Sequence, residues 1–142
     1  MEPIEIDMVA KAFNDMIFFH SFFMAFFPIP FVINLYTLFT YKSYQKVIIK
    51  IWFVMPIIFL LVAVGSLSGV FILASAQWYM NAEVLGMIVF MLFIFIGEIV
   101  RIKKLKLART SEPLMLSYIR FCKILYAIDL AVSLAFSLRI II

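Results

Sequence analysis

Charge is scarce in this chain. Of its 142 residues only 14% are Asp, Glu, Lys or Arg and 67% are apolar, where a soluble domain carries about 25% charged and roughly 45–50% apolar residues. That deficit excludes a soluble globular protein and argues against disorder. Cysteine is nearly missing too. Cys122 stands alone, which excludes an intramolecular disulfide, a CxxC redox pair, a CxxCH haem attachment and a multi-thiolate zinc site. There is one histidine, His20, so a bis-histidine haem site would need its second ligand from elsewhere. Segments of about 10 residues alternating polar and apolar are absent, so a membrane β-barrel is not a serious rival. A basic leader is also lacking: the chain opens on the acidic MEPIEID, and the apolar run behind it is too long for a cleaved signal. We read this start as retained.

What remains is membrane-spanning sequence. A spanning helix needs about 20 mostly apolar residues. The chain has four such stretches, 12–39, 51–76, 80–102 and 116–142, broken at YKSYQK, at a short turn over 77–81 and at RIKKLKLARTSEP. The expected fold is an all-α, four-helix transmembrane bundle forming one integral membrane domain over 1–142. No internal repeat relates its halves, and no loop is long enough for a further domain.

Four spans put the first and third connections on one side, and the termini with the second connection on the other. Lys42, Lys46, Lys50, Arg101, Lys103, Lys104, Lys106, Arg109, Arg120 and Lys123 fall on the first side, and only Lys11 and Arg139 on the second. Basic residues favour the inner face of a membrane. The expected topology is N-out and C-out, multi-pass, in an inner or plasma-type membrane. The net charge of +4 is then a topological signal and not a nucleic-acid one. The basic face would meet anionic headgroups of the lipid bilayer.

Side chains that are costly in lipid mark the candidate site. His20 lies in the first stretch, with Met16 and Met24 one turn to either side on the same face and Phe13, Phe23 and Phe27 nearby. It reads as a haem or metal ligand, with Met16 or Met24 as cofactor-binding neighbours, or as an interhelical hydrogen bond. Asp129 sits near the middle of the fourth stretch, where a carboxylate costs about 2.5–3.5 kcal/mol on the insertion scale. It should face the bundle, with Tyr126, Ser133 and Ser137 on its side of the helix. It is the candidate catalytic or proton-handling group, or else a pin to Lys50 or a serine. Glu98 stands one turn before Arg101, at the basic mouth of the third stretch, where that neighbour or the headgroups would satisfy it. Gly65 and Gly69 form GxxxG with Ser66 and Ser68 beside them, a face for close helix approach. Pro28, Pro30 and Pro56 could bend their helices, and Asn34 would share a face with His20 if the first helix ran straight.

Several of these features in order resemble a known family. They are FFHSFFMAFF in the first helix, PIPFVINLYTLFTYKSYQK at its exit, MPIIFLLVAVGSLSG in the second, and RFCKILYAIDL entering the fourth. Together they are similar to the HemJ-type protoporphyrinogen oxidase and copper-resistance D group of membrane proteins. The resemblance is chiefly one of hydropathy and charge. It implies handling of haem b, another porphyrin or copper, with His20 as the first-helix histidine and Arg120 and Lys123 as the basic entry to the last helix. The chain departs from that pattern: no tryptophan follows His20 in its helix, and the third helix has no histidine, with Gly97 and Glu98 near the expected place.

The residues by themselves name no reaction. A cofactor-binding membrane protein built on His20 is the first expectation, and the absence of any cofactor is equally open. A small proton-coupled transporter using Asp129 is the alternative. A non-catalytic subunit or assembly factor, packed as a homo-oligomer or in a larger membrane complex, is the third.

Overall fold

The computed structural model describes residues 3–141, and all regular structure in them is helical: α1 (Pro3–Ala25), α2 (Pro28–Thr40), α3 (Tyr44–Ser75), α4 (Ala82–Ala108) and α5 (Glu112–Ile141). With α1 and α2 taken as one broken rod, four helices are long and apolar enough to cross a membrane. Their outward faces confirm the solvent. Phe18, Phe39, Phe53, Leu60 and Leu67 are all at least 61% exposed, an apolar surface that water would not tolerate on a soluble protein. The chain is a small multi-pass membrane protein.

The helices overrun their apolar stretches. The first begins at Pro3 rather than 12, the second at Tyr44 rather than 51, and the fourth at Glu112 rather than 116; the third continues to Ala108 instead of 102. The sequence boundaries were those of the hydrocarbon, whereas a helix continues past it until a local signal stops it. Those signals are side-chain caps. Ser43 accepts from the Lys46 amide at 3.3 Å, Asn81 from Val84 at 2.8 Å and Ser111 from Leu114 at 3.4 Å, each satisfying a free donor of a first turn.

Proline breaks the first rod and leaves α3 whole. Pro28 has no amide proton for the Met24 carbonyl, four residues back. That carbonyl accepts instead from the Phe27 amide at 3.2 Å and from the Ser137 hydroxyl of α5 at 3.2 Å. The Phe26 carbonyl, freed by Pro30, takes the Ile29 amide at 3.2 Å. In lipid such groups must be satisfied within the protein. Pro56 lies inside α3 without interrupting it.

Helix α5 is the centre of the bundle, flanked by α2 and α4, while α3 packs on α1 and α2 and only lightly on α4. The core is densest toward the end that bears the basic connections, where Phe31, Leu38, Val47, Ile51, Ile58, Ile94 and Ile119 are buried. No residue of α1 is buried. Its His20 lies against Ser68 of the antiparallel α3, so Ser75 at the end of α3 comes level with about Phe13, and the first turns of α1 extend beyond.

Candidate functional site

The inward face of α5 carries a polar file. Tyr118, Cys122, Tyr126, Asp129, Ser133 and Ser137 follow one another at three- and four-residue steps, and all are buried. Such steps hold side chains on one face of a helix, and here that face looks into the bundle.

Opposite it, α4 supplies Glu98 and Arg101, 0% and 1% exposed. They do not sit at a solvated mouth, as the sequence suggested, but inside the protein, because α4 continues well past them to Ala108. The Arg101 Nε and Nη2 groups both lie 2.9 Å from Glu98 Oε2. Nη1 donates to the Tyr118 hydroxyl at 3.0 Å, and Nη2 lies 3.3 Å from the Met55 sulfur of α3. The Tyr126 hydroxyl donates to Glu98 Oε1 at 2.7 Å. An ion pair is costly to bury unless its remaining valences are met, and the two tyrosines and the thioether meet them. Gly97 makes the approach possible: a Cβ there would stand 2.8 Å from Leu125 Cδ1 of α5.

Asp129 differs from Glu98 in kind. It is 0% exposed, yet among the described residues neither carboxylate oxygen has a hydrogen-bond partner. Neither Lys50 nor a serine reaches it. Asn34 of α2 is in the same position, with both its amide nitrogen and its oxygen unpartnered at 0% exposure. The ring of Phe31 stacks on Tyr126 with centroids 6.2 Å apart. Asn34 is one turn from Phe31 toward the basic end, and Asp129 one turn from Tyr126 toward the opposite end. The two orphaned groups thus flank the Tyr126–Glu98 hydrogen bond on either side along the bundle axis.

His20 belongs to a second, separate place, the glycine groove of α3. Its Nδ1 lies 2.6 Å from Ser68 Oγ, and the Ser68 hydroxyl donates to the Val64 carbonyl at 2.7 Å. A serine has one proton to give; directed to Val64, it leaves His20 to donate through Nδ1 with the lone pair on Nε2. The ring covers Gly69, where a Cβ would lie 3.4 Å from Cε1. One turn along, Met24 fills the space over Gly65: an added Cβ would collide with its terminal methyl and approach the Met91 methyl of α4 to 3.0 Å. Met16 is half-buried on the same face of α1. Asn34, beyond the break at Pro28, does not share this groove. Among the described residues no three His, Cys, Asp or Glu side chains converge as a metal centre would require.

Sequence reasoning paired Glu98 with Arg101, and that pair is present; it gave Tyr118 and Cys122 no place in the site. A signal was present in the four-residue spacing of Tyr118, Cys122 and Tyr126, facing a Glu–Arg pair one turn apart. No family model matches this chain, no curated protein matches it in sequence, and no solved structure matches it in fold. The assignment rests on the site.

Proposed function

We propose that this protein handles protons within the membrane, as a small proton-coupled transporter in which Asp129 is the group that gains and loses the proton. One observation carries the reading: a fully buried carboxylate with no hydrogen-bond partner on either oxygen among the described residues, next to a second carboxylate held by Arg101 and Tyr126. Intramembrane carboxylates are expensive and mark ion or proton pathways. A fixed counter-ion would lock the charge, and Glu98 shows what that looks like. With no such lock, Asp129 can exchange a proton during a cycle, and Arg101 balances the charge of Glu98 nearby. With Arg101 buried against Glu98, nine basic residues remain at the α2–α3 and α4–α5 end, against Lys11 and Arg139 at the other, and they support an N-out, C-out chain in an inner or plasma-type membrane.

Infrared difference spectroscopy of the lipid-reconstituted protein, cycled between acid and alkaline buffer, tests the reading. The expected result is a reversible carboxylic-acid C=O band that Asp129→Asn removes and Glu98→Gln leaves. A spectrum unchanged by Asp129→Asn overturns it.

One observation favours a second reading, haem, porphyrin or copper at His20 as in the family the sequence resembles. The Nδ1–H donated to Ser68 leaves Nε2 as the ligating nitrogen, the arrangement that metal-bound histidines adopt. Against it, the His20 face is filled by α3 and Met24, so a macrocycle would have to lie on the lipid side of α1. A Soret band from mildly purified protein, lost in His20→Ala, would support it.

A further inference from the structure

At the basic end, the junction of α2 and α3 forms a partly open cavity of about 160 Å³ lined by Thr37, Thr40, Tyr41, Lys42, Lys46, Val47 and Lys50. We propose that this cavity is a binding site for a single phosphate group, carried by an anionic phospholipid or by a soluble phosphate. Its lining is basic: Lys42, Lys46 and Lys50 border it and no carboxylate does, while the Thr37 and Thr40 hydroxyls donate to the Ile33 and Tyr36 carbonyls of their own helix and leave the lysines as the donors. Glu112 lies 3.4 Å from the Tyr44 hydroxyl and does not line the cavity. The volume falls below the roughly 300 Å³ at which sites for whole organic ligands begin, so it suits a headgroup phosphate and not a nucleotide. Lys46 and Lys50 are one turn apart on α3, and with Lys42 from the connection that precedes it they line the same cavity. The first turn of α3 has no acidic side chain to neutralise its N-terminal dipole, which adds to the positive potential there. Lysine binds phosphate as a point charge, whereas the fork of arginine also matches carboxylates. No arginine lines the cavity.

Lys103, Lys104 and Lys106 provide the contrast, since they lie at the same end of the bundle and outside the cavity. Generic attraction to an anionic surface would treat the two lysine triplets alike.

Native mass spectrometry at physiological ionic strength separates these cases. Purified wild type would be offered phosphatidylglycerol or phosphatidylcholine in equal amounts, and inorganic phosphate in a separate arm. Retention of phosphatidylglycerol over phosphatidylcholine identifies a lipid headgroup, and saturable retention of inorganic phosphate identifies a soluble ligand. In either case Lys42→Gln/Lys46→Gln/Lys50→Gln should weaken retention about tenfold or more, while Lys103→Gln/Lys104→Gln/Lys106→Gln leaves it within about twofold. Equal losses in the two triple variants, or no retention in either arm, overturn the proposal. Should the first triple variant fail to fold, Lys46→Gln alone decides, and unchanged binding in it overturns the site.

Discussion

The two polar places in this bundle solve the same problem in opposite ways. At the α1–α3 edge, half-buried His20 meets buried Ser68 over a groove of glycines, and one hydroxyl pairs with one of the two ring nitrogens. In the α4–α5 core, Glu98 and Arg101 are sealed from solvent and drawn into contacts with three helices. The edge is held by shape, with one hydrogen bond added. The core is held by mutual neutralisation, so no member can be removed without stranding another. Asp129, one turn from that network, takes no part in it. A rare residue in a membrane helix therefore does not announce its role; the number of partners it finds does.

The largest expected effect breaks the core. Arg101→Met leaves Glu98 buried beside Tyr126 with no counter-charge, and stranding a buried charge costs about 3–5 kcal/mol. Combining it with Glu98→Met removes the stranded charge as well, and should recover most of that loss. Denaturation of the two variants in mixed micelles, followed by the fluorescence of Trp52 and Trp78, measures both. A double variant no better than the single would show that the pair is not an isolated electrostatic unit. Next comes the shape of the edge. Gly65→Leu drives a side chain into Met24 and Met91 and should cost about 1–3 kcal/mol. Leu67, 74% exposed on the other side of α3, is the control, and Leu67→Phe should leave the melting temperature alone. Equal tolerance at both positions would show that the glycine face does not pack.

The spans were legible because lipid imposes a continuous apolar run on any chain that crosses it, and four such runs are present. Helix ends were not, since they depend on single caps such as Ser43 and Asn81 and not on hydropathy. The two points are linked: a third helix ending at 102 puts Glu98 and Arg101 at its mouth, and extension to Ala108 carries both inward. Asp129 could be found from cost alone, and its place on the inward face with Tyr126, Ser133 and Ser137 follows from helical period. The tyrosines that hold Glu98 and Arg101 could not be assigned. Spacing within one helix says nothing about the register between two.

A middle-sized effect, of opposite sign, sharpens the contrast between the two carboxylates. An unpartnered buried polar group costs about 1–3 kcal/mol relative to an apolar one of similar shape. Asp129→Leu should therefore raise stability by about that amount, where Glu98→Leu, which strands Arg101, lowers it. A gain in stability with loss of the titrating infrared band is the signature of a residue kept for function at a cost to the fold. A marked loss of stability in Asp129→Leu would mean that the carboxylate has a structural partner in the bilayer, and would remove the basis of the proton reading.

The smallest effect concerns the edge contact itself. Interhelical hydrogen bonds in membranes average about 0.6 kcal/mol, because separated helices find other partners. Ser68→Ala should cost little more than that, although Ser68 is buried and its contact with His20 spans only 2.6 Å. His20→Ala loses the same bond and, in addition, the packing of its ring over Gly69, so it should cost more. The double variant isolates the bond: a coupling of about 0.6 kcal/mol is expected, with the excess in His20→Ala left uncoupled. Zero coupling would mean that the two side chains do not pair in lipid, and the tautomer that leaves Nε2 free would lose its support. A coupling of several kcal/mol would place His20 in a network like that of Glu98, and the division between an edge held by shape and a core held by charge would fail.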